Sequence, residues 1–265
     1  MNEWMKQARL GESLSGLEII DMHGHLGRVN FAIPDDDPVG VVRTLDRLGV
    51  KSIACSEMRC MMPSMEAVRA GNDFIFGAMR ACPGRIQGYV ALYPESEAAV
   101  REETERCLAL GFMGIKLHNS NGYAYDLPAY APAYDLAHRR HLPVLLHTWG
   151  DPPVLQQIGR MARRYPAAIF LLAHTGAGDV TANISLIREC PNVYGDLAYS
   201  RSPRGMVRRL VDEVGADRIV WGSDMIFFNI AHQLGKVLGA DLTDEGRAKI
   251  LGGNARRILD GCTVG

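Results

Sequence analysis

A closed parallel β/α barrel is the fold class this sequence predicts, and three observations predict it. Short apolar runs alternate with longer amphipathic stretches eight times along 265 residues. Strand-to-strand spacing is roughly 25 to 35 residues, the size of one βα unit, with no linker between units. Several runs are apolar throughout, as strands buried on both faces must be. Eight such units fill about 250 residues, the usual size of a closed barrel. An open doubly wound sheet is the alternative. Against it, the first strand-to-helix turn, Gly24-His25-Leu26-Gly27-Arg28, lacks the Gly-x-Gly-x-x-Gly pattern of dinucleotide folds.

Taken in order, the strands are expected at Glu18–Met22, Lys51–Ser56, Ile86–Leu92 and Phe112–Leu117, then Pro143–Leu146, Ala168–Ala173, Asn192–Leu197 and Arg218–Gly222. Apolar residues recur every three or four positions in Val39–Leu48, Met65–Ala81, Glu97–Leu110 and Tyr130–His141. The same period runs through Val154–Tyr165, Val180–Glu189, Pro203–Val214 and Ile230–Leu238, so these are the helices. Gly49 and Gly111 stop helices, Pro143 opens a strand and Pro203 opens a helix. Residues 1–16 form a polar N-terminal extension. Residues 243–265 form a C-terminal helical tail, expected to pack on the outside. The whole chain, 1–265, is expected to be one domain.

Composition narrows the function. A formal net charge of -1 offers no basic face for nucleic acid. The six cysteines are scattered without a Cys-x-x-Cys pair, which suits free thiols in a reducing compartment. No apolar run is long enough to cross a membrane and no signal-peptide core opens the chain, so a cytoplasmic protein is expected. The expected partners are a small-molecule substrate and further copies of the chain in a homo-oligomer.

The chemistry is concentrated at strand ends. His23 and His25 close the first strand one residue apart, so they share a face and offer two imidazoles to a metal. The fourth strand ends in Lys116-Leu117-His118, the fifth in His147, the sixth in His174 and the eighth in Asp224. In a parallel barrel those ends converge on one mouth. His138 and His141 suit a helix C-terminus, and His232 lies in a helical pattern, so these three are read as structural. The loop Asn119–Tyr125 is polar and aromatic, as a substrate loop should be. Cys60-Met61-Met62 either lines a pocket or packs.

Six pieces together resemble the amidohydrolase superfamily, in its amidohydrolase-2 branch. They are Ile-Asp-Met-His-Gly-His at 20–25, Gly-Ile-Lys-Leu-His at 114–118, Leu-Leu-His at 145–147, Leu-Leu-Ala-His-Thr-Gly at 171–176, Trp-Gly-Ser-Asp at 221–224 and Gly-Asn-Ala-Arg-Arg-Ile-Leu at 253–259. The resemblance implies a metal-dependent hydrolase in which a metal-activated water cleaves a small amide, ester or lactone. A non-oxidative decarboxylase on the same scaffold is the alternative, and a catalytically inactive binding barrel the third reading. It implies one or two divalent ions, zinc first, with manganese, iron and cobalt also compatible with imidazole and carboxylate donors. His23, His25, His147, His174 and Asp224 are the implied metal set. Asp224, His174 and Lys116 are the implied catalytic residues, Asp224 as base and Lys116 as either a free amine or a carbamate bridge. Arg28, His118, Asn121 and Tyr123 are expected at the substrate; Arg28, just past His25, is either a carboxylate clamp or a solvated loop arginine. The branch's usual Ser-Asp-Tyr-Pro is Ser223-Asp224-Met225-Ile226 here, which leaves Asp224 intact and changes the loop after it.

Overall fold

Eight parallel strands pair in chain order, each with the next. They are β1 (Ile20–Leu26), β2 (Ser52–Glu57), β3 (Ile86–Ala91), β4 (Gly114–Leu117), β5 (Pro143–Leu146), β6 (Ile169–Leu172), β7 (Val193–Asp196) and β8 (Ile219–Val220). The computed structural model describes residues 2–27, 37–199 and 202–263. Hydrogen bonds join the first strand to the last: Met22 N–H donates to Trp221 C=O at 3.0 Å, and Asp224 N–H to His23 C=O at 2.7 Å. The sheet is therefore a barrel, and the open doubly wound alternative falls.

The helices in chain order are α1 (Glu3–Leu10), α2 (Pro38–Leu48), α3 (Met65–Ala81), α4 (Glu97–Ala109), α5 (Ala131–Arg140), α6 (Pro152–Arg164), α7 (Val180–Glu189), α8 (Met206–Val214), α9 (Ile230–Leu238), α10 (Asp244–Ala248) and α11 (Asn254–Asp260). Side chains of Asp37, Ser64, Ser96, Asp179, Asn229 and Thr243 cap helix N-termini, and α2, α3, α4, α7 and α9 begin within one residue of where the apolar period does. Helix α8 starts three residues later than Pro203 suggests, after Gly205 in a left-handed conformation. The extension at the N-terminus carries a helix of its own, α1, capped by Asn2 and stopped by Gly11.

Apolar side chains form two layers. The larger lies between strands and helices and includes Ile53, Cys55, Val90, Ile115, Leu146, Leu172 and Trp221. The smaller fills the barrel: Ile20, Met22, Ala54, Tyr89, Leu145, Leu171 and Val220, joined by Ala255 and Ile258 of α11. The C-terminal tail thus plugs the barrel floor instead of packing on the outside. Gly252 permits this, because a Cβ there would lie 2.1 Å from the Glu18 carbonyl oxygen.

Strand β1 runs past the expected Met22 to Leu26, pairing Gly24, His25 and Leu26 with Cys55, Ser56 and Glu57. Between Asp21 and Gly24 the register slips, so that two residues, Met22 and His23, face one residue of β2. This β-bulge changes the phase of the alternation. Below it Ile20 and Met22 face inward as floor; above it His23 and His25 face inward as site. Gly24 points outward, where a Cβ would sit 2.4 Å from Ile53.

Candidate functional site

The carboxyl ends of the strands bring His23, His25 and Asp224 together. One ligand atom from each lies within 4.8 Å of the others. Nε2 of His23 and Nε2 of His25 stand 3.5 and 3.4 Å from the same oxygen, Oδ1 of Asp224. His174 Nε2 approaches the other oxygen, Oδ2, at 3.9 Å. All four side chains are buried.

Backbone geometry aims these groups. Asp224 and His174 both adopt left-handed conformations, φ 53° and 59°, at the turns that leave β8 and β6. Such positions cost L-residues about 1–2 kcal/mol and are best tolerated by Asp and Asn. Asp224 is fixed by its own N–H on His23 C=O and by Phe227 and Phe228 N–H groups on its carbonyl. Its neighbour Ser223 donates N–H to Asp21 Oδ1 at 2.9 Å, and His23 N–H shares that acceptor. Asp21 therefore ties β1 to the chain after β8 directly beneath the histidines.

Each histidine is oriented through its second nitrogen. His23 Nδ1 is 2.6 Å from Asp196 Oδ2, and His25 Nδ1 is 3.1 Å from Ser56 Oγ. His174 Nδ1 bonds the Ala198 carbonyl. A carbonyl only accepts, so His174 must carry its proton on Nδ1 and hold a lone pair at Nε2. His118 is the opposite case: Ser120 N–H donates to its Nδ1 at 3.2 Å, so its proton sits on Nε2. His118 stacks on His147 at 3.9 Å, and His147 meets His174 edge-on at 5.1 Å. His147 thus stands one ring beyond the three-residue cluster.

Burial dominates the electrostatics. It pulls His147 down to about 2 and His174 down to about 4, so both are neutral at pH 7 with lone pairs to offer. It pushes Asp21 up to about 7 and Asp196 up to about 8. His25 is the exception. Burial works against its charge, but hydrogen bonding to Asp224 and to Cys60 together outweighs this and raises it. Lys116, 1% exposed, places Nζ 3.3 Å from His23 Nε2, and burial lowers it.

This donor set fits a divalent cation. His23 and His25 turn their Nε2 atoms to Asp224 Oδ1 while Asp196 and Ser56 occupy the far sides of the rings. Imidazole oriented by an outer carboxylate is how proteins prepare metal ligands.

Other expected site residues have other placements. Asn121 donates from Nδ2 to Tyr130 hydroxyl at 3.0 Å and accepts Tyr123 N–H, shaping its loop. Tyr123 is half-exposed, its hydroxyl 3.2 Å from that of Tyr93. Arg28 lies outside the described residues. His138 accepts Ala167 N–H, tying α5 to the chain before β6, and His141 is the left-handed cap of α5.

Three groups at the site had no part in the sequence reading. Asp196 sits at the end of β7, and Gly222 lets it approach: a Cβ at 222 would lie 2.5 Å from both Asp196 Oδ1 and His23 Cβ. Its position at a strand end, in line with the histidines, was the available signal. Trp149, 44% exposed, stacks on His174 at 4.5 Å. Phe227, 38% exposed, meets His25 edge-on at 5.9 Å.

A family model described as Amidohydrolase matches residues 20–261. The gamma-resorcylate decarboxylase of Polaromonas sp. strain JS666 is 24% identical over 285 residues, covering 82% of this chain and 86% of that protein. The solved dihydroxybenzoic acid decarboxylase from Polaromonas sp. JS666, with bound manganese and the inhibitor 2-nitroresorcinol, superposes with a TM-score of 0.74 at 19% identity, over 92% of this chain and 97% of that one. The 4-oxalomesaconate hydratase from Rhodopseudomonas palustris gives a TM-score of 0.71 at 18% identity, over 92% and 96%. Those two structures share the fold and differ in reaction, so the fold alone does not choose the chemistry.

Proposed function

Because the chain belongs to the amidohydrolase family, we propose that it is a metal-dependent non-oxidative decarboxylase of a small hydroxylated aromatic acid. The motifs led with hydrolysis. The alternative gains its support from the gamma-resorcylate decarboxylase, which aligns over 82% of this chain. The observation that carries the reading is the joint placement of the His23, His25 and Asp224 cluster with the exposed rings of Trp149 and Phe227. Those rings offer apolar faces to a flat aromatic ring next to a cation site, where a carboxylate would be held.

His23, His25 and Asp224 would hold the ion, with His174 beside Asp224 Oδ2 and His147 further out. When bound, the ion supplies a Lewis-acid anchor for the anionic oxygens of the substrate. Zinc remains compatible, and the manganese in the similar decarboxylase makes that metal equally worth testing.

The reaction exchanges the ring's carboxylate for a proton and releases carbon dioxide. It therefore needs an acid at carbon, where hydrolysis needs a base at water. Asp224 serves either direction, since its carboxyl group can hold a proton at Oδ2 and pass it on. Asp21 and Asp196 have no exposed surface, whereas Asp224 is 5% exposed and borders the mouth. His174, whose lone pair at Nε2 faces Oδ2, would orient that carboxyl proton and not supply it. Lys116 supplies positive charge against Asp224 and Asp196 from the barrel interior.

The test is turnover by freshly purified protein with a panel of hydroxybenzoates, scored for carbon dioxide and for the decarboxylated phenol. A parallel panel holds amides, esters and lactones. Chelator-sensitive carbon dioxide release is expected. Hydrolysis of the second panel with no carbon dioxide from the first would refute the reading.

A further inference from the structure

Lys236 lies in the last turn of α9, 62 positions after His174 in the chain, and no sequence motif points to it. Its ammonium is half-buried and donates to the carbonyls of Leu197, at 2.6 Å, and Tyr199. Among the described residues it makes no ion pair. A cation whose bonds go to two carbonyls flanking one residue is fixing backbone, while Asp196 and Asp224 act on it through their charge alone.

The residue between those carbonyls is Ala198. Its own carbonyl accepts the Nδ1 proton of His174, and its N–H donates to Asp196 Oδ1 at 3.0 Å. Leu197 N–H is held by Val220 C=O at 3.2 Å. In extended chain, successive carbonyls point in opposite directions. Holding 197 and 199 toward α9 therefore turns the Ala198 carbonyl toward His174. The Tyr199 ring lies 5.6 Å from Trp149, the ring that stacks on His174.

We infer that Lys236 is a positioning residue: through the 197–199 backbone it fixes the ring orientation and the tautomer of His174, and so keeps the lone pair of Nε2 on Asp224. The ammonium provides what this needs, several donors on a long stem reaching two diverging acceptors. A rotated Ala198 peptide would remove the carbonyl that holds the proton on Nδ1. Nε2 would then be free to take the proton and lose its lone pair.

The rate arm of the test rests on the proposed reaction; the tautomer arm reads His174 itself. Protein as purified, with ¹⁵N-labelled histidine, is compared with Lys236→Met and Lys236→Arg. Wild type should carry the His174 proton on Nδ1. In Lys236→Met that signal should be lost or shift toward Nε2, and kcat should fall about 10–100-fold with KM within about 3-fold, the usual cost of losing an outer-shell contact. Lys236→Arg should restore the signal and most of kcat. A His174 signal unchanged in Lys236→Met overturns the inference. If Lys236→Met does not fold, the wild-type spectrum and the Lys236→Arg spectrum decide: a proton on Nε2 in wild type, or a signal lost in Lys236→Arg, overturns it as well. A protein that releases no carbon dioxide yet shows the Lys236-dependent tautomer would refute the reaction and leave this inference standing.

Discussion

Replacing Asp224 by Asn isolates one chemical property. Asp224 sits at φ 53°, and Asn is the residue that tolerates this conformation about as well as Asp. The backbone bonds that fix it, its N–H on His23 C=O and the Phe227 N–H on its own carbonyl, do not involve the side chain. The carboxamide keeps one oxygen for the position 3.4–3.5 Å from the two Nε2 atoms. What disappears is a negative charge and a carboxylate oxygen able to take up and release a proton. Proton transfer by a positioned side chain contributes about 10²–10⁴ in rate. The expected loss is therefore about 3–5 kcal/mol of transition-state stabilisation. Carbon dioxide release would be measured beside metal content and melting temperature on the same preparation, so that a lost ion is not mistaken for a lost acid. A rate within a few-fold of wild type at equal metal content refutes the proton-transfer role of Asp224.

Three further outcomes follow from the same geometry. The double replacement His23→Ala/His25→Ala should abolish stoichiometric metal binding while circular dichroism stays native, because both residues lie above the floor layer; metal retained at one ion per chain would contradict the site. Lys116→Ala should keep a single ion and lose rate, since its Nζ reaches His23 Nε2 as an amine; two ions in wild type, bicarbonate-dependent reconstitution or a carboxylated side chain would instead make it a bridge. Glu103, 0% exposed, is opposed by burial, but bonds from Arg106, Asn72 and Cys107 outweigh that and hold its carboxyl below the usual range. Breaking that pair as Glu103→Gln should cost about 3 kcal/mol, or roughly 6–12 °C in melting temperature. The folded carboxylate is the weaker base, so the unfolded chain takes up more protons as pH falls below about 4.5; wild type should lose this increment in that range and the variant should not.

Much of the barrel was legible because its strands are buried on both faces and its helices are punctuated by caps. The histidines and Asp224 were legible because imidazole and carboxylate groups rarely close so many apolar runs. Asp196 was readable in principle but hidden in Val193-Tyr194-Gly195-Asp196, a strand too polar to announce a site. Lys236 was invisible, since a lysine in the last turn of a helix is ordinarily a solvated charge serving the helix dipole. Trp149 and Phe227 sit in loops whose direction depends on the turns after β5 and β8. The floor role of Ala255 and Ile258 depends on where the chain returns after α10, which periodicity alone does not encode.

The bulge in β1 means that floor and site are read in different frames of one strand. Deleting Met22 would remove the bulge, and His23, Gly24 and His25 would then meet Ala54, Cys55 and Ser56 in regular alternation with both imidazoles still facing inward. The floor would lose one side chain and the centre none. A relative one residue shorter here would keep the same ligands over a different floor. Substitution acts in the same way: changes at Ile20 or Met22 retune the packing of the floor without altering which way His23 and His25 look, so the stability of this strand and its chemistry are free to vary separately.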